Sequence, residues 1–261
     1  MASIFTAAPS SNKSHRKFVE DVRMPRLCHL LCCMKALILR GLLILISLFL
    51  AVQLWVFGAL VWWQFQPVER SMFMHRYEWT GQTPALKHQW VDSNQINNSL
   101  KRALVAGEDG RFMDHHGFDW TGIQAALERN QKKGRVVAGG STISQQLSKN
   151  LFLWNERSYI RKAQEFIITW MMEQLWSKDR ILTVYLNSIE FGKGIYGAEA
   201  AARHYYGKSA KTLSAQESAR LAGLVPNPVY YQAHPSDRRY KKRVRMIARY
   251  MRYSRIPVAT P

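Results

Sequence analysis

Hydrophobic and polar positions divide this chain into stretches of different period. Residues 41–63 run for 23 positions without a charged side chain. At about 1.5 Å per residue, a helix of that length spans the roughly 30 Å hydrocarbon core of a bilayer. The spacing therefore predicts a transmembrane helix. A cleaved leader is the competing reading, but Trp62-Trp63-Gln64-Phe65 follow the stretch where small residues would mark a cleavage site.

Beyond it, residues 64–96 carry Tyr77, Trp79 and Trp90 without a sustained period and read as a linker docked on the domain that follows. From residue 97 the apolar spacing becomes helical. Leu100, Leu104 and Val105 share one face of a short helix ending near Gly107, which puts Glu108 at a helix terminus opening on a cleft. Residues 131–140 are basic and glycine-punctuated, as a mobile loop would be. Thr142-Ile143-Ser144-Gln145 has the form of a capping box that starts a helix running to Leu151. A longer helix is expected from about residue 158 to 176, with Phe166, Ile167, Trp170, Met171 and Leu175 as apolar positions. Near the end, Tyr240, Val244, Ile247 and Met251 recur at helical spacing within a run of arginines and lysines, predicting a packed helix with a basic face. No strand-rich stretch and no glycine-rich nucleotide loop appears, so the fold class is mostly α.

Charge adds orientation. Before the apolar stretch stand Lys13, Arg16, Lys17, Arg23, Arg26, Lys35 and Arg40 against Glu20 and Asp21. By the positive-inside rule residues 1–40 form a cytoplasmic tail and the remainder faces outward. Met34 is a second candidate start, since Lys35 and Arg40 would still orient the helix. All three cysteines, Cys28, Cys32 and Cys33, precede the apolar stretch, so the outward part has no disulfide framework. The chain has 37 basic and 18 acidic residues. The part after residue 66 keeps 30 and 16 of them, a formal charge of +14. Anionic partners follow. With no nucleic-acid module visible, lipid head groups and a lipid-linked diphosphate fit better than nucleic acid.

Two glutamates carry the candidate chemistry. A carboxylate pair suits displacement at a sugar's anomeric carbon, although most such pairs are only salt-bridge partners. Lys149, Arg157, Arg161 and Lys162 fall between Glu108 and Glu165 in sequence. A hydrolase expelling a sugar alcohol needs a proton donor, whereas expelling a diphosphate needs cations. Arg157, Arg161 and Glu165 recur every four residues, and Lys162 stands three before Glu165. On an isolated helix that would be a surface ion-pair ladder.

The residues also match a family. Glu108-Asp109-Gly110-Arg111-Phe112-Met113-Asp114-His115-His116-Gly117 reads as E-D-x-x-F-x-x-H-x-G, and residues 140–150 as G-S-T-I-x-Q-Q-x-x-K-N. Arg161-Lys162-Ala163-Gln164-Glu165 reads as R-K-x-x-E, with KDRILTVYLN at residues 178–187 as a fourth block. In these four blocks the chain resembles the family 51 glycosyltransferases, which polymerise lipid II into peptidoglycan. The likeness runs from about residue 90 to about 230. Thr183 departs from the glutamate of many bifunctional members and marks the monofunctional subgroup.

The resemblance implies a lysozyme-like lobe over residues 97–261, held in the bacterial inner membrane by one helix. It implies polymerisation without transpeptidase activity, with lipid II and the growing glycan chain as substrates and membrane lipids as neighbours. Other cell-wall synthesis or division proteins would be its protein partners. Glu108 would be the general base. Glu165 would organise the leaving diphosphate. Ser141, Gln145, Gln146, Lys149, Arg157, Arg161 and Lys162 would contact substrate, supported by Asp109, Phe112, His115, Asn150 and Glu173. Capping is the plainer account of Ser141, Thr142 and the two glutamines. A divalent cation such as magnesium could assist the diphosphate, though no dedicated ligand set is visible. A lytic, lysozyme-like enzyme and a non-catalytic cell-wall scaffold are the alternatives. The cation set weighs against the first, and turnover would exclude the second.

Overall fold

A computed structural model describes residues 13–135, 139–156 and 158–258, with side chains from residue 34 onward. It divides into two units, residues 1–55 and 56–261. The described residues of the first, from Lys13 on, form a single helix within α1 (Lys13–Phe65). Its apolar side chains, among them Leu42, Ile44, Leu48 and Leu54, are exposed over most of their surface. The segment Met34–Phe65 is long and apolar enough to cross a membrane.

The second unit takes in the last turns of α1 and ten further helices among the described residues. These are α2 (Met72–Trp79), α3 (Asn98–Glu108), α4 (Trp120–Lys133), α5 (Ile143–Phe152) and α6 (Tyr159–Leu175). Then follow α7 (Lys178–Ser188), α8 (Ala198–Tyr206), α9 (Ala215–Leu224), α10 (Pro228–Ala233) and α11 (Arg238–Tyr250). The domain is mostly α, with one small sheet of β1 (Lys87–His88), β2 (Glu190–Gly192) and β3 (Ile195–Tyr196). β3 lies in the middle, parallel to β1 and antiparallel to β2.

α7 is the axis of the core. Every residue from Ile181 to Ser188 is buried, as expected for a helix surrounded on all sides. Leu100 and Leu104 of α3, Ile143 and Leu147 of α5, and Ile168 and Met172 of α6 pack in the same cluster. Val56 and Leu60, at the end of α1, are buried there too. The Trp176 indole donates to the Leu60 carbonyl at 2.8 Å, and Arg180 Nε donates to the Trp63 carbonyl at 2.9 Å.

Two stretches are more ordered than their composition predicts. The segment read as a linker contains α2, capped by Ser71, with Met74 and Tyr77 buried against Tyr196. Farther on, the Asn187 side chain bonds both the N–H and the carbonyl of Val91, tying residues 87–96 to α7. The expected loop at 131–140 is helical through Lys133 and stops at Gly134 in the left-handed conformation. Two lysines in the last turn favour that helix end. Residues 136–138 lie outside the described residues.

Candidate active site

α5 presents the site. Its sequence ISQQLSKNLF places Ile143, Leu147 and Leu151 toward the core, while Gln146, Lys149 and Asn150 fall together on another face. Three groups hold its N-terminus. Thr142 and Gln145 form a capping box, and Asp109 Oδ2 accepts the Ile143 N–H at 3.0 Å. The Thr142 hydroxyl donates to the Gly117 carbonyl at 2.6 Å. Gly117 has φ +84°, and a Cβ there would stand 2.9 Å from the Thr169 methyl, so the loop closes on α6 only with glycine.

Glu108 ends α3 beside this face. Its Oε2 accepts from the Gln146 amide at 3.0 Å. The Tyr185 hydroxyl in turn donates to Gln146 Oε1 at 2.8 Å, fixing which end of that amide faces Glu108. Burial pushes the Tyr185 phenol well above the usual tyrosine range, and the Glu108 charge adds to it, so it stays a donor. The other carboxylate oxygen accepts from Arg243 at 2.5 Å, and Arg243 also donates to the Gly107 carbonyl at 2.8 Å. Arg243 belongs to the basic run at residues 238–255, where its inward turn carries no sequence signal.

Glu165 is held differently. It is buried in mid-α6, with Arg161 on Oε2 at 2.7 Å and Lys162 on Oε1 at 2.5 Å. Of the ion-pair ladder expected from the sequence, Arg161 and Glu165 are paired, and both are buried. Arg161 Nε also donates to the Glu156 carbonyl at 2.9 Å. Arg157 lies outside the described residues.

Lys149 stands on the same face of α5 as Gln146. Burial lowers its ammonium below the usual lysine range, and the charges of Glu165 and Glu108 both oppose that shift. It lines a cleft of about 450 Å³ with Gln146 and Asn150 of α5, Arg76 of α2 and Asn227. Ser141 is exposed in a smaller cleft of about 140 Å³ that also contains Glu108.

The remaining expected residues brace these. His115 Nε2 lies 3.0 Å from Asp109 Oδ1, so the pair joins the first block to the start of α5. Phe112 is fully buried, with the Lys178 ammonium 4.5 Å from its ring centre. Lys178 reaches Glu173 at 2.9 Å, and the Ser144 hydroxyl donates to the same carboxylate. Gln145 is buried and its oxygen accepts the Thr142 N–H at 3.1 Å, which is the capping account rather than a group reaching into the cleft. Among the described residues, no three His, Cys, Asp or Glu side chains gather as metal ligands. Both oxygens of Glu165 already face cations, so this donor set does not fit a dedicated divalent ion.

The family model described as transglycosylase matches residues 76–252. A biosynthetic peptidoglycan transglycosylase of Acinetobacter baumannii (strain SDF) is 56% identical over 224 residues, covering 86% of this chain and all of the relative. The Acinetobacter baylyi protein of the same description is 54% identical with the same coverage. That of Thiobacillus denitrificans is 51% identical, over 84% of this chain and 96% of its own. The match runs from within α2 through α11, and with it both glutamates and the helices between them: the chain belongs to the transglycosylase family.

Proposed function

We propose that this chain is a peptidoglycan glycosyltransferase that joins lipid II to a growing glycan chain and releases undecaprenyl diphosphate. Glu108 takes the proton of the acceptor's 4-hydroxyl as that oxygen attacks the donor's anomeric carbon. The bond from that carbon to the diphosphate breaks on the opposite face, inverting the configuration. Gln146 and Arg243 fix the orientation of the carboxylate, and general-base catalysis of this kind is worth about 100-fold to 10,000-fold. Lys149, Arg161 and Lys162 offset the charge that gathers on the departing diphosphate. Glu165 holds the last two in place.

The observation that carries this reading is the cation set, Arg161 and Lys162 paired on Glu165 with Lys149 lining the neighbouring cleft. Cations gathered beside the second carboxylate serve an anionic leaving group. Incubation with labelled lipid II, followed by separation of the products by size, should show polymer from the wild type. Monomeric or cleaved products alone would refute the proposal.

The substrate reading also needs the lobe outside the cytoplasm. A phosphatase fused after residue 261 should be active there and a β-galactosidase silent, because only the oxidising side forms the phosphatase disulfides. The reverse pair of results would remove lipid II as the substrate.

A further inference from the structure

The main cleft is chemically two-sided. α5 and α2 bring Lys149 and Arg76 to it, while β2, β3 and the start of α10 bring Glu190, Tyr196 and Asn227. The cations suit a diphosphate. Glu190 has no part in the chemistry above, and among the described residues no salt bridge reaches it. A backbone N–H of Gly194 bonds it, and its charge reaches the phenols of Tyr77 from α2, Tyr196 from β3 and Tyr205 from α8, whose hydroxyls it raises. α9 and α10, which also pack on β2, add no charge that acts on it. Lys149 and Arg76 share the cleft but do not counter its burial.

A carboxyl group in a mostly buried wall without a cation is stable there as the neutral acid. As an acid it has a proton to donate, which a carboxylate lacks. Burial pushes the Glu190 carboxyl up to about 7, so both forms are populated under ordinary conditions. Its neighbours Asn227 and Tyr196 are uncharged, which makes this side of the cleft a place for neutral oxygens rather than phosphates.

We propose that Glu190 is a further substrate-binding residue, donating a hydrogen bond from its carboxylic acid to a sugar hydroxyl or N-acetyl oxygen of the lipid-linked saccharide. The identity of that saccharide rests on the proposed function. The contact itself needs only a neutral sugar acceptor next to the cationic end of the cleft.

The test is equilibrium binding of lipid II to the full chain in detergent at pH 6 and pH 8.5, read by tryptophan fluorescence, beside polymer formation at pH 6.5. Wild type should bind about 10-fold to 30-fold more weakly at pH 8.5, as expected for a donor lost through a carboxyl near 7. Glu190→Gln keeps a donor at every pH and should bind equally at both. Glu190→Ala has no donor and should bind weakly at both. Equal pH dependence in wild type and Glu190→Gln would overturn the contact. A wild type that binds with the expected pH dependence but makes no polymer would instead sink the proposed function and leave Glu190 standing.

Discussion

Glu108 and Glu165 are both carboxylates under two hydrogen-bond donors, yet the donors have different origins. Glu165 takes both from its own helix, three and four residues back. Glu108 takes one from Gln146 and one from Arg243, 38 and 135 residues away. A carboxylate paired within its helix is arranged by local geometry and holds its cations still. One assembled from separate helices depends on the whole lobe, so its orientation can be altered from several places without unfolding anything.

The sharpest division between them is catalytic. Glu108→Gln should lower polymerisation by about 100-fold to 10,000-fold with an unchanged melting temperature, because the amide fills the same space but accepts no proton. An equal loss in Glu165→Gln with intact folding would make the two carboxylates equivalent and break the distinction. Next in size is stability. Arg161→Ala leaves the buried Glu165 with Lys162 alone and should cost about 2–4 kcal/mol in denaturant unfolding. Arg243→Ala should instead slow turnover by about tenfold with little change in unfolding. Matching stability losses in the two would place Arg243 among the structural ion pairs.

Smaller again is Tyr185→Phe. It removes one hydrogen bond to Gln146, worth about 1 kcal/mol, and should reduce kcat about fivefold while leaving substrate affinity unchanged. The smallest effect belongs to Glu190. Its carboxyl titrates near 7 when folded against about 4.5 otherwise, so the folded chain holds the extra proton between those values. Stability therefore falls as pH rises from about 4.5 to 7. Relative to wild type, Glu190→Gln should gain about 1 kcal/mol at pH 8 and nothing at pH 4.5, less than the full shift because the carboxyl keeps some solvent contact. A constant difference across that range would refute the linkage.

The same local-versus-distant contrast explains what could be read from the sequence. The capping box at Thr142 and the spacing of Arg161, Lys162 and Glu165 are periodic features within one helix, and the structure has both. α2 carries no periodic signal because eight residues complete barely two turns. Arg243 stands among nine basic residues at 238–255, and only the packing of α11 on α3 selects which of them meets Glu108. Gln145 and Gln146 are adjacent and alike in sequence. Their helical rotation sends one to cap α5 and the other to Glu108.

The end of α1 has a consequence for any attempt to free the lobe from its membrane. Val56 and Leu60 are core residues, and the carbonyls of Leu60 and Trp63 accept from Trp176 and Arg180. A protease that cut behind residue 65 would remove the anchor and also open a hole in the core. Each lost aliphatic side chain would cost about 1.5–3 kcal/mol of burial. Release into the soluble phase would thus carry a stability penalty for the lobe. A cut before Val56 would spare these core contacts and leave a short stub of apolar helix on the lobe.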